Sequence, residues 1–144
     1  MAEHDRLLSL SGHFLQAANE LEERSRDRFP VPHYLAAHAI ELALKAHLAH
    51  GGTSEKRLKK LGHDLEKVLA RAHKTVRGVL TVEQVTAIEW INQYYAVKKL
   101  EYTAWGKSGR MISVPRASSL IQAAANIVGH LDGVFRAERR RAKS

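Results

Sequence analysis

The chain has 144 residues, the length of one domain. A domain of that size buries roughly 68–70% of the surface its unfolded form exposes, so it needs neither a disulfide nor a metal to fold; it has no cysteine, which excludes a disulfide framework and thiolate chemistry. Lys and Arg total 23 against 15 Asp and Glu, a formal charge of +8, which points to an anionic partner or, more plainly, to a solubilising surface.

The first element in chain order is a helix from about Glu3 to Asp27. Leu7, Leu10, Phe14, Ala17, Ala18 and Leu21 recur at helical spacing along one face, and Glu20, Glu22, Glu23, Arg24 and Arg26 cover the outside. FPVP turns the chain. A second helix runs to Gly51-Gly52, and Thr53 to Leu61 reads as a polar, lysine-rich connector. A third helix starts at His63 or Asp64, with Asp64 as N-cap or first-turn acid, and ends near Lys74. Thr81 caps a fourth helix, with Gln84 at the capping-box position. A basic, aromatic connector follows, and Pro115 marks the start of a fifth helix with Leu120, Ala124, Ile127, Leu131 and Val134 or Phe135 on one face. The only β-like stretch is MISV at 111–114. The expected fold is an all-α, up-down bundle of four or five helices over 1–135, followed by a basic, disordered tail at 136–144. No apolar run reaches the length of about 18 residues that suggests a membrane span, and the N-terminus lacks the apolar core of a signal peptide. The expectation is a cytoplasmic protein with no membrane association.

The second helix, PHYLAAHAIELALKAHLAHGG, is too apolar for a surface helix, yet it carries several titratable groups. At roughly 100° per residue, Tyr34, His38, Glu41 and Lys45 share an arc of roughly 60°, and alanine and leucine fill most of the rest. This describes a central helix with one narrow polar seam. Glu41 and Lys45 are placed to form an i, i+4 ion pair. Either the seam is a structural pair whose neighbours satisfy His38 and Tyr34, or it lines a cleft or a subunit contact. A buried charge without a partner is too costly to leave. Nine histidines raise the question of a metal, but there is no H-E-x-x-H and no Cys/His ligand spacing, so neither a metal site nor a cofactor is expected.

The ordered set YLAAHAIELALKAHLAHGG, LGHDLEKVL and INQYYAVKKLEYTAWG, ahead of a closing amphipathic helix, resembles the HEPN superfamily over about residues 10–135. The resemblance implies a helical bundle that forms homodimers. It also implies roles in RNA cleavage or binding, in toxin–antitoxin pairs, or beside a partner such as a nucleotidyltransferase. Its catalytic members carry an Arg followed within a few residues by a His near the start of a late helix. This chain departs from that pattern: after Arg116 the next histidine is His130. The matching spacing, Arg57 to His63, falls in the connector before the third helix. His63 therefore reads either as part of a turn or as an acid/base group beside Arg57 or Arg116.

Tyr94, Tyr95, Tyr102 and Trp105 interleave with Lys98, Lys99, Lys107, Arg110 and Arg116. Rings that stack on bases and cations that follow phosphates suit single-stranded nucleic acid, and rings that pin the loop to the bundle are the plain alternative. The reading that follows is a non-catalytic HEPN-like module binding RNA or a nucleotide. Its contact residues are Tyr34, His38, Glu41, Lys45, Lys98, Lys99, Tyr102, Trp105, Arg110 and Arg116. The alternatives are a metal-independent ribonuclease using His63 with Arg57 or Arg116, and a protein-interaction scaffold.

Overall fold

The computed structural model describes residues 1–97 and 113–143. Among them are six helices and no strand: α1 Glu3–Arg24, α2 Val31–His50, α3 Glu55–Leu61, α4 Leu65–Val76, α5 Val82–Tyr95 and α6 Ala117–Lys143. The all-α bundle expected from periodicity is the observed fold. α2 packs against each of the other five helices. Ala36, Ala37, Ala39, Ile40, Ala43, Leu44 and Ala46 are fully buried, and the alanines let neighbouring helices approach closely.

Three turns position the functional groups. Asp27 adopts a left-handed backbone (φ 55°), which Asp tolerates better than most residues. Its N–H donates to both carboxylate oxygens of Glu22 at 3.0 Å, and its own Oδ1 accepts the Ala117 N–H at 2.8 Å, so the α1–α2 turn caps the start of α6. At the next turn Asp64 is the N-cap of α4, as expected, accepting from Glu66 and Lys67. Asn92 of α5 reaches this turn as well. Its Oδ1 accepts the Leu65 N–H at 2.8 Å, and its Nδ2 donates to Asp64 at 3.0 Å. Thr81 and Gln84 form the expected capping box at the start of α5.

Two expectations need correction. The polar connector before α4 contains a short helix, α3, whose N-cap Ser54 accepts from Arg57 and whose Leu58 is buried. One apolar residue at the right phase is enough to seat a lysine-rich turn on the bundle. The basic tail is not disordered: α6 continues through Lys143. Residues 136–143 are mostly strong helix formers, and cations suit the negative end of the helix dipole. Arg136 pairs with Asp132 at 3.1 Å, and Arg139 reaches Asp5 of α1 at 2.9 Å. On the same helix, Phe135 rather than Val134 is buried.

Candidate functional site

The polar seam of α2 is closed by residues from two other elements. Glu41 is 3% exposed, and its carboxylate is shared among three donors. Oε1 accepts from the Tyr95 hydroxyl at 2.6 Å and from His63 Nδ1–H at 2.8 Å. Oε2 accepts from Lys45 Nζ at 3.1 Å. Lys45 also donates to the Gly62 carbonyl at 2.7 Å, which ties the α3–α4 turn to α2. Gly62 has φ 59° with ψ −141°, a conformation that side chains rarely adopt, and it turns the chain so that His63 faces Glu41.

Burial alone would raise the Glu41 pKa. The Tyr95 and His63 hydrogen bonds and the Lys45 charge outweigh it and hold the carboxyl below its ordinary value. Glu41 is therefore an acceptor only. The single Tyr95 proton goes to Glu41, so Tyr95 must accept from His38, whose Nδ1 lies 2.8 Å away. The result is a network that converges on Glu41, from His38 through Tyr95 on one side and directly from His63 on the other. Phe14 packs edge-on against the His38 ring at 4.5 Å, and Tyr34 stacks nearly parallel to it at 5.8 Å. His63 lies at the open end, with its side chain 45% exposed. His38, Glu41 and His63 each offer a metal-ligating atom, and these atoms lie within 4.8 Å of one another.

A second polar surface begins at the same turn. A groove of about 830 Å³ is lined by Leu48, Thr53, Arg57, Lys60, Leu61, Lys67 and Arg71. Its lining carries four cations from two helices, Arg57 and Lys60 on α3 and Lys67 and Arg71 on α4, beside Leu48 and Leu61. Among the described residues, no acidic one lines it. The α6 cations Arg136, Arg139, Arg140 and Lys143 line a separate depression.

Of the residues expected at the site, Tyr34, His38, Glu41 and Lys45 lie together in the seam, and His63 joins them. Arg57 lines the basic groove. Arg116 sits elsewhere, in a cavity of about 650 Å³ that also holds Glu22, Glu23 and Asp27. Lys98, Lys99, Tyr102, Trp105, Lys107 and Arg110 lie outside the described residues. Tyr95 reads from sequence as one of the interleaved aromatics, yet its hydroxyl links two members of the seam. Nothing local in the sequence marks it, because it meets Glu41 across 54 positions. The groove does carry a local sequence signal: Arg57 with Lys60, and Lys67 with Arg71, are spaced i, i+3 and i, i+4, which puts each pair on one helix face.

Histidine 33 has a different setting. It is fully buried, and its Nε2–H donates to the Pro115 carbonyl at 3.0 Å, joining the start of α2 to the approach of α6. Nδ1 is buried with no hydrogen-bond partner among the described residues. Burial pushes the pKa down, against the raising effects of Asp27 and of the Pro115 hydrogen bond.

Comparison with models of known families, with curated proteins and with solved structures finds no match to this chain.

Proposed function

We propose that this chain is a HEPN-like module that binds RNA through its phosphate backbone, without cleaving it. The observation that carries the reading is the groove between α3 and α4, with four cations on two helices and no acid among its lining residues. Lys and Arg from two helices in one groove suit successive phosphates, and such contacts supply affinity without base specificity. The family part of the proposal is supported by a spatial coincidence. The segments AIELALKAHL and GHDL, which carry the resemblance, meet through the Glu41–His63 hydrogen bond. The resemblance extends the proposal to a cytoplasmic homodimer, or to a complex with a partner protein such as a nucleotidyltransferase, in a toxin–antitoxin or other regulatory setting. Among the described residues, no helix is long and apolar enough to cross a membrane.

One observation favours a second reading. A buried carboxylate that orients a half-exposed imidazole is an arrangement suited to general acid–base catalysis. With Arg57 nearby in sequence, it supports metal-independent RNA cleavage with His63 as the acid/base group.

One experiment separates the two. Chelator-treated protein is incubated with labelled single-stranded RNA across a salt series, and the mixtures are run on native and denaturing gels. The expected result is a salt-sensitive shift of intact RNA, weakened in a Lys60→Ala, Lys67→Ala, Arg71→Ala variant. Each lost phosphate contact lowers the slope of log affinity against log salt by roughly 0.7. RNA fragments that disappear with His63→Ala would establish the second reading instead. The absence of any shift would overturn both the binding role and the groove as its site.

A further inference from the structure

We propose that His38, Glu41 and His63 form a binding site for a divalent transition-metal ion of the zinc class. This goes beyond RNA binding, which needs no metal. The three side chains come from two places far apart in sequence, α2 and the α3–α4 turn, and their ligand atoms lie within 4.8 Å of one another. Two imidazoles and one carboxylate form a donor set that suits zinc and its first-row neighbours, and does not suit magnesium or calcium. Zinc holds nitrogen and oxygen ligands at roughly 2.0–2.2 Å, which places tetrahedral ligand atoms roughly 3.3 Å apart. Glu41 Oε1 and His63 Nδ1 are already 2.8 Å apart, and the widest separation among the three ligand atoms, 4.8 Å, must close by about 1.5 Å to admit an ion. His63 is half-exposed, so its ring has room to move, and the rest of the adjustment falls to His38.

The protons balance without a co-reactant. Glu41 is ionised already. In its neutral form each imidazole carries its proton on Nδ1, donated to Tyr95 by His38 and to Glu41 by His63. Moving that proton to Nε2 frees the Nδ1 lone pair for the ion with no net release, and an imidazole that starts protonated gives its second proton to solvent. The Tyr95 hydroxyl keeps donating to Glu41 and orients the carboxylate, as outer hydrogen bonds do at metal sites. Phe14 and Tyr34 fix the plane of the His38 ring. Lys45 sits on the other carboxylate oxygen and is held there by Gly62, so Oε1 faces the two imidazoles. Three protein ligands leave a position for water or an anion on the exposed His63 side.

The chain has a second histidine group, in which His4 and His50 pack against Phe135, so the test must distinguish the two. Metal-free full-length protein is titrated with Zn2+ by calorimetry, and with Co2+ by visible absorption, which reports nitrogen and oxygen coordination. Wild type is expected to take up about one ion per chain with visible Co2+ bands. His63→Ala and His38→Ala should each weaken zinc binding by more than about 10-fold and lose the bands, and His50→Ala should leave both unchanged. His63→Ala loses one hydrogen bond to Glu41 and should melt at a lower temperature without metal, but because the ring is half-exposed it should keep the wild-type circular dichroism and a cooperative transition, so a loss of binding reports the ligand and not the fold. Absence of binding in wild type, binding that survives His63→Ala, or binding that is lost in His50→Ala would each overturn the proposal. RNA retention is measured without metal, so failure here leaves the RNA-binding reading intact.

Discussion

The α2 seam and the α3–α4 groove share the turn at Gly62 and His63, yet they are opposite kinds of polar surface. In the seam a buried acid is surrounded by donors, and every charge has a partner. In the groove exposed cations from two helices share one lining, with no acid among the described lining residues. The seam holds α2, the α3–α4 turn and α5 in register, so altering it costs stability. The groove leaves its charges unneutralised by its own lining, so altering it costs affinity for an anion. An uncompensated like-charge surface is the better indicator of a ligand, and a satisfied buried network is the better indicator of a fold constraint.

That contrast breaks most visibly at Glu41. Glu41→Ala leaves Lys45 buried without its carboxylate and removes the acceptor of both Tyr95 and His63. It is expected to cost about 3–5 kcal/mol, read as a lower midpoint in chemical denaturation. A loss under about 1 kcal/mol would mean that the seam is not the structural centre described here. Tyr95→Phe is milder, because it removes one hydroxyl that bonds a charged acceptor and a histidine. Its expected cost is about 1.5–3 kcal/mol in the same assay.

The pH dependence of stability tests the other buried histidine. The folded pKa of His33 is depressed by burial. Below the unfolded value of about 6.5 the unfolded chain takes up a proton that the folded chain resists. The stability from keeping His33 neutral is therefore fully present above about pH 6.5 and is lost as the pH falls toward the folded pKa. His47 shifts in the same direction, through burial first and then His50 and His130. Denaturation midpoints should fall between pH 7 and pH 5.5, and less steeply in His33→Gln. An equal slope in the variant would remove His33 from this account.

The smallest expected effect on stability is in the groove. Replacing Lys60, Lys67 and Arg71 by alanine should change stability by within about 0.5 kcal/mol per site, while the RNA affinity of the same variant falls. A large loss of stability would mean that these cations hold the fold and would erase the distinction from the seam.

Much of this molecule follows from its own local chemistry. The apolar periodicity of α1 and α6, the Thr81–Gln84 capping box and the Asp64 cap are local signals, and local signals read correctly because helix geometry relates residues only a few positions apart. The near-continuous apolar surface of α2 likewise identified it as the central helix, and its Tyr34–Lys45 stripe as the seam. The helical tail was misread because charge density alone suggests disorder. Its pairing with Asp5 of α1 joins residues 134 positions apart. Tyr95 meeting Glu41, His63 closing the seam and two lysine-rich helices lining one groove are likewise products of packing. Sequence periodicity places a residue on a face of its own helix, and only tertiary structure decides which face of another helix it meets.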